Sequence, residues 1–192
     1  LTKVFNESYD KNILPASMRK IQIRLLYKKI NPDERIHLKN YRPISLLNCD
    51  YKILSKSLAT RLSPCLELML DDTQSGIPGR VISDPIHSIQ SMIFDANKNN
   101  KKAGFICLDF LKAFDSVDHD FTFKIMKGMG IHPNFIRWAK LGFTQTSAKC
   151  IVNGKLSHGF KLPGGGRQGD NLYPLIFSLV MHGLKLAVDH YE

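Results

Sequence analysis

The sequence predicts an α+β fold, because helical and strand-like patterns of apolar residues alternate along the chain. With 192 residues and a hydrophobic content of 43%, the chain is long enough to bury a sizeable core. No apolar run approaches the roughly 18 residues that a membrane span requires. Together these observations favour a globular domain and argue against a membrane-spanning one.

Prolines, glycines and polar clusters divide the chain into elements. Asp50 is expected to cap a helix over 51–62, and Pro64, at the position that proline favours, to start a separate short helix. The other predicted elements are strands over 21–27, 42–47 and 103–110, helices after Asp84 and over 115–127, 133–141 and 172–188, and a hairpin around Asn153-Gly154. A glycine-rich loop, "PGGGRQGDN", precedes the last helix.

Positive charge is concentrated near the start of the chain. Residues 1–64 contain 13 Lys and Arg against 5 Asp and Glu, whereas residues 65–192 contain 14 against 12. The total of +10 is therefore mostly a property of the first third. This asymmetry predicts an anionic partner, with nucleic acid the first candidate, although a merely basic surface remains the alternative.

The four cysteines lie far apart and form no CxxC pair, which argues against a zinc site. Three of them have apolar neighbours in the sequence. Buried, reduced thiols are therefore expected.

The stretch "GFICLDFLKAFDSVDHD", residues 104–120, places a carboxylate at the end of an apolar run. Burying Asp109 there costs several kcal/mol unless it is paired or binds a cation. Asp109 is thus either a cap or surface ion pair with Lys112, or one of the carboxylates that Mg²⁺ prefers. Asp115, Asp118 and Asp120 precede a helix, where acidic residues cap free N–H groups, so we assign them a structural role.

Four segments carry a family resemblance: "LLYKK", "NYRPISLLNCDYKILSKSLATRL", "LDFLKAFDSVDH" and "GRQGDNLYPLIFSL". In order and approximate spacing they resemble the reverse transcriptases of non-LTR (LINE-type) retrotransposons, and the resemblance extends over the whole chain. It implies the fingers and partial palm of a right-hand polymerase. Residues 1–100 would form a basic fingers-like region, and residues 101–192 a partial palm with the first catalytic strand and the nucleotide-site loop.

The resemblance implies a role for particular residues. Asp109 matches the first metal-binding, catalytic aspartate, with the Phe110 carbonyl as a second ligand. Phe114 matches the aromatic gate that excludes a ribose 2′-hydroxyl by steric clash. The nucleotide-binding positions that the resemblance implies are Lys28 or Lys29, Arg42, Phe114, Arg167, Gln168 and Gly169. Arg167 is either structural or faces phosphate, whereas the planar fork of Arg42 suits a triphosphate.

The resemblance also implies cofactors and partners. A two-ion Mg²⁺ site would serve deoxynucleotidyl transfer, with an RNA template, a DNA primer and deoxynucleoside triphosphates as substrates. The implied location is intracellular, in the nucleus or cytoplasm, and no targeting signal is visible. The sequence says nothing of oligomeric state.

The sequence departs from the family pattern in ways that bear on activity. Asn171 and Tyr173 replace the usual proline and serine of "RQGDPLSP", and Tyr173 is expected to add bulk beside the nucleotide site. The family completes its metal site with an aromatic-X-Asp-Asp hairpin, and the single Asp-Asp pair here, Asp71-Asp72, lies upstream of Asp109. We therefore expect a chain truncated before that hairpin and the thumb, inactive by itself. The alternative is a decayed or repurposed remnant that only binds nucleic acid.

Overall fold

The computed structural model describes residues 1–29, 31–71, 74, 76–162 and 164–190. Its helices are α1 (Thr2–Lys11), α2 (Ala16–Arg19), α3 (Cys49–Met69), α4 (Ser83–Lys98), α5 (Ala113–Ser116), α6 (His119–Gly128), α7 (Pro133–Leu141) and α8 (Tyr173–Asp189). Its strands are β1 (Lys20–Tyr27), β2 (Tyr41–Leu46), β3 (Ser147–Val152), β4 (Lys155–Leu156) and β5 (Phe160–Lys161), with short 3₁₀ turns at Pro32–Ile36 and Leu38–Asn40. The α+β prediction is confirmed.

The five strands form one mixed sheet in the order β2-β1-β3-β4, with β5 also paired to β3. The two strands predicted over 21–27 and 42–47 form the antiparallel pair β1–β2, which places Leu26 opposite Arg42. The β3–β4 hairpin turns at Asn153 and Gly154, whose φ angles of 48° and 76° suit the predicted Asn-Gly turn. The parallel pairing of β1 with β3 has no signal in the local sequence.

The core lies between one face of this sheet and the helices. Helix α8 packs against α3 and α6, and α1 packs against α7. Fully buried residues from these elements include Ile21, Leu62, Leu66, Met126, Leu141, Ile176 and Leu179. This core fixes the N-terminal end of α8, to which the glycine-rich loop is attached.

Helix α3 differs from the prediction at both points where a boundary was expected. Its N-cap is Asn48, whose side chain accepts from the Asp50 N–H, so Asp50 lies in the first turn instead. Pro64 lies inside the helix and starts no new one. Leu58, Leu62 and Leu66 form one buried stripe that continues across the proline. This packing keeps the helix continuous, although the proline removes one backbone hydrogen bond.

The predicted strand over 103–110 is wrong: these residues form no strand and are exposed. Phe105, Ile106 and Leu108 are 67%, 82% and 77% exposed. A strand is stable only beside a partner, and none of the described strands pairs with this segment. Helix α4, which precedes it, forms as predicted but contains no buried residue.

The predicted burial of the thiols is also wrong, because the free Cys49, Cys65 and Cys107 are exposed and only Cys150 is partly covered. Cys49 and Cys65 lie on the exposed side of α3, and Cys107 lies on the exposed segment 101–110. An apolar local sequence does not reveal either placement. Among the described helices, none combines the length and apolar character needed to cross a membrane.

Candidate functional site

The glycine-rich loop, residues 164–170, joins two segments that are far apart in the sequence. Its Gln168 carbonyl accepts a hydrogen bond from the Ser45 N–H of β2 at 3.0 Å. Its Gly166 N–H donates to the Phe114 carbonyl of α5 at 2.7 Å. Since β2 is an edge strand, the loop occupies its free edge. Strand β2, helix α5 and loop 164–170 therefore form one hydrogen-bonded unit.

A buried carboxylate anchors the end of this loop. Asp170 is 6% exposed and accepts hydrogen bonds from the hydroxyls of Tyr51 and Ser55 on α3. It also accepts from the Leu172 N–H at 2.9 Å. Burial, and then the negative charge of Asp170, raises the pKa of Tyr51, so its hydroxyl stays protonated and donates.

Arg167 lies beneath the loop and not at its surface. It is 6% exposed, and its guanidinium stacks on the Tyr51 ring with Cζ 4.3 Å from the ring centroid. Its Nη2 donates to the Gly142 carbonyl, while Nη1 is buried without a hydrogen-bond partner among the described residues. These contacts tie the loop to α3 and to the end of α7.

Gln168 and Gly169 form the accessible part of the loop. Gln168 is partly exposed and Gly169 is exposed. Gly169 has a φ of +109°, and a Cβ at this position would lie 3.2 Å from the Ser45 carbonyl oxygen. Backbone conformation and close approach to β2 therefore both require glycine here.

Phe114 lies beside the same loop, on the short helix α5. Its ring is 37% exposed and packs against Phe177 and Tyr173, with centroids 4.9 and 5.6 Å away. Its carbonyl accepts from the Gly166 N–H and from the Tyr173 hydroxyl. The loop thus holds the Phe114 backbone through its Gly166 N–H.

Asp109 and Phe110 lie on the exposed segment 101–110, and Phe110 lines a cavity with Ala113 and Ser116 of α5. The Phe110 side chain is 47% exposed. In the part of the chain that the structure describes, no group of three or more His, Cys, Asp or Glu side chains could hold a metal ion. The described residues therefore do not compose a Mg²⁺ site by themselves, because this ion needs several oxygen ligands to displace its water.

The neighbouring carboxylates have structural positions. The Asp118 side chain accepts from the Phe121 N–H at 2.8 Å as the N-cap of α6. Asp115 and Asp120 lie in the first turns of α5 and α6. Asp71 forms an ion pair with Lys185 at 2.9 Å, and Asp72 lies outside the described residues.

Lys28 and Lys29 follow β1 and differ in their partners. Lys29 forms an exposed ion pair with Glu34 at 2.9 Å, which raises the pKa of the lysine and lowers that of the glutamate. Lys28 is exposed, and its side chain forms no ion pair within the described ranges. Lys28 is therefore the freer of the two cations.

Arg42 belongs to a basic surface that the sequence pattern alone missed. Strand register places Arg42 beside Leu26, Arg24 beside Ile44, and Lys149 beside Gln22. Alternate residues of a strand share a face, so one face of the sheet, which we call the open face, carries exposed Lys20, Arg24, Arg42, Lys149 and Lys161. None of the five described strands contains Asp or Glu. Ser45 points to the opposite, buried face.

Comparison with known proteins identifies relatives of this chain. Residues 19–191 match the family model described as reverse transcriptase (RNA-dependent DNA polymerase). The transposon TX1 uncharacterized 149 kDa protein of Xenopus laevis is 35% identical over 182 residues, covering 93% of this chain and 14% of that protein.

Two Drosophila melanogaster proteins are also similar. The retrovirus-related Pol polyprotein from type-2 retrotransposable element R2DM is 26% identical over 172 residues, 89% of this chain and 16% of that protein. The probable RNA-directed DNA polymerase from transposon BS is 24% identical over 186 residues, 93% of this chain and 20% of that protein. The chain thus spans about a seventh to a fifth of the length of these relatives.

The resemblance to non-LTR retrotransposon polymerases is confirmed by these matches. The family model covers nearly the whole chain, including β1, β2, α5 and loop 164–170. This chain belongs to the reverse transcriptase family and is related to the polymerases of non-LTR retrotransposons.

Proposed function

We propose that this chain forms the nucleotide- and template-binding part of an RNA-directed DNA polymerase. The observation that carries the proposal is the hydrogen-bonded unit of β2, α5 and loop 164–170. Its bonds of 3.0 Å from Ser45 to Gln168 and 2.7 Å from Gly166 to Phe114 join three segments that bear expected nucleotide-site residues. Such an arrangement places the exposed Gln168 and Gly169 beside a strand that carries the cation Arg42.

Within this unit each exposed residue has a distinct task. Gln168 and Gly169 contact the incoming nucleotide, since glycine lets the base or sugar approach the backbone closely. Phe114 excludes the ribose 2′-hydroxyl by clash. Arg167, which is buried, acts by supporting the loop and does not itself touch phosphate.

Arg42 and Lys28 hold the triphosphate. Arg42 is exposed on the edge strand β2, and its planar fork matches the geometry of phosphate oxygens. Lys28 adds a second cation, and its freedom from Glu34 favours it over Lys29.

The open face binds the template strand. Its five exposed cations come from both ends of the chain, since Lys149 and Lys161 join Lys20, Arg24 and Arg42. Exposed Leu26 and Leu46 lie between them. Cations interleaved with apolar side chains suit a single strand, whose backbone is anionic and whose bases are apolar.

Asp109 supplies one carboxylate to the metal site that reverse transcriptases use. Alone and exposed, it does not suffice to hold an ion. This isolation favours one second candidate function, nucleic-acid binding without catalysis. Both candidates use the open face, so extension of a primer separates them.

The first prediction concerns the open face. The chain is expected to bind RNA without sequence preference and to lose affinity steeply as salt rises. The reason is that Lys and Arg side chains bound to phosphates release the counterions of the RNA. Arg24→Ala with Lys149→Ala should reduce the slope of log Kd against log salt by about one to two, because each lost phosphate contact lowers the slope by about one. The matched control is Lys124→Ala with Lys127→Ala, two exposed lysines of α6. Equal effects of the two double variants would contradict the assignment of the open face.

The second prediction concerns catalysis. A chimeric polymerase would carry this chain in place of the matching segment of a related retrotransposon polyprotein whose own primer extension has been measured. We expect it to extend a DNA primer on RNA, and Asp109→Asn to abolish extension because a carboxylate ligand is lost. Asp120→Asn, in the first turn of α6, is the control and should retain extension. A chimera that binds RNA but never extends a primer would support the binding-only function instead.

The third prediction concerns the triphosphate. In the chimeric polymerase, Arg42→Ala should raise the KM for deoxynucleotide by about tenfold or more, the effect of losing one charge-assisted hydrogen bond of ~1.5–3 kcal/mol. Arg61→Ala, an exposed arginine on α3, is the control. Steady-state kinetics in which both variants keep the parent KM would remove Arg42 from the nucleotide site.

A further inference from the structure

Tyr173, at the start of α8, is placed to act on Phe114. It is 2% exposed, and its hydroxyl donates to the Phe114 carbonyl at 3.1 Å. The same carbonyl accepts from the Gly166 N–H at 2.7 Å. Two donors from different elements therefore hold one carbonyl of α5.

The ring of Tyr173 occupies space that Gly166 leaves open. A Cβ at Gly166 would lie 1.8 Å from Cδ1 of Tyr173, so only glycine fits at position 166 beneath this ring. The ring also packs against Phe143 and Phe114, with centroids 6.0 and 5.6 Å away. The expected bulk of Tyr173 is thus directed into the core beneath the site.

The hydroxyl of Tyr173 keeps its proton at any physiological pH. Burial, and then the negative charge of Asp115, raises the pKa of Tyr173 to about 12. The group is therefore a permanent donor to the Phe114 carbonyl.

Helix α5 needs such support because it is short. It contains four residues, Ala113–Ser116, and begins after Lys112, whose φ is +51°. A single turn is not stable by itself, since nucleation costs more than one turn of hydrogen bonds returns. The position of the Phe114 ring therefore depends on contacts from outside α5.

We propose that Tyr173 is a specificity-determining residue that acts through Phe114: its ring and hydroxyl fix the Phe114 backbone and prevent the gate from retreating before a ribose. The inference rests on the proposed function, in which Phe114 excludes the 2′-hydroxyl. Exclusion by clash works only when the excluding group cannot move away. Tyr173 and Gly166 together supply that rigidity.

The test uses Tyr173→Phe, which keeps the ring and removes only the donor. The measured quantity is kcat/KM for a ribonucleotide divided by kcat/KM for the matching deoxynucleotide. In the chimeric polymerase this ratio should rise by about fivefold, which corresponds to the loss of one net hydrogen bond. Phe114→Ala should raise this ratio further, because the gate itself is removed. Tyr9→Phe is the matched control: it removes the hydroxyl of a half-buried tyrosine on α1, whose ring packs against Trp138, and should leave the ratio unchanged.

A second measurement uses the 192-residue chain itself. Amide hydrogen exchange should accelerate in Tyr173→Phe at Asp115, Ser116 and Gly166, whose N–H groups hydrogen-bond within or onto this turn. Exchange in the β1–β2 pair should not change. This readout does not depend on polymerase activity.

The outcomes separate the inference from the proposed function. An unchanged ratio in Tyr173→Phe, with Phe114→Ala effective, would overturn the inference alone. An equal rise in Tyr9→Phe, or unchanged exchange at Gly166, would do the same. An unchanged ratio in Phe114→Ala would overturn the proposed gate, and the inference with it.

Discussion

The buried carboxylate of Asp170 is the interaction on which the site depends. An ionised carboxylate out of water costs several kcal/mol unless donors surround it, and here Tyr51, Ser55 and the Leu172 N–H all donate to it. These donors belong to α3 and to the start of α8. The end of loop 164–170 is therefore fixed to two core helices at once.

Everything that the loop presents follows from this attachment. Arg167 stacks on the same Tyr51 that donates to Asp170, so the cation and the anion of the cluster share one aromatic ring. With both ends of the short sequence 167–170 buried, Gln168 and Gly169 are held outward against Ser45 of β2. A surface built on rigid core helices keeps its geometry better than one on a free loop.

Much of the fold follows from local patterns. Strands β1 and β2, helix α7 and the Asn153-Gly154 hairpin lie where alternation, helical spacing and turn residues predict them. The strand over 103–110 fails because an apolar run predicts burial without specifying a neighbour. The break at Pro64 fails because tertiary packing overrides the local cost of a proline.

Only the motif residues of the candidate site could be proposed from the sequence. Gln168, Gly169 and Phe114 were expected from the resemblance, whereas the two hydroxyl donors of Asp170 lie 115 and 119 positions away and leave no local signal. Likewise, Lys149 reaches the open face through a parallel pairing of β1 with β3, and register between distant strands cannot be obtained from either strand alone.

The most direct test of the account is amide hydrogen exchange at Ser45 and Gly166 in Asp170→Asn. Asparagine replaces one carboxylate oxygen with an NH₂ group, which cannot accept a hydrogen bond. One of the two oxygens that accept from Tyr51 and Ser55 is therefore lost, and the loop anchor is weakened. The account predicts that the Ser45 and Gly166 amides exchange much faster than in the parent chain, while Asp120→Asn leaves them unchanged. Unaltered protection at both amides in a folded Asp170→Asn chain would contradict it.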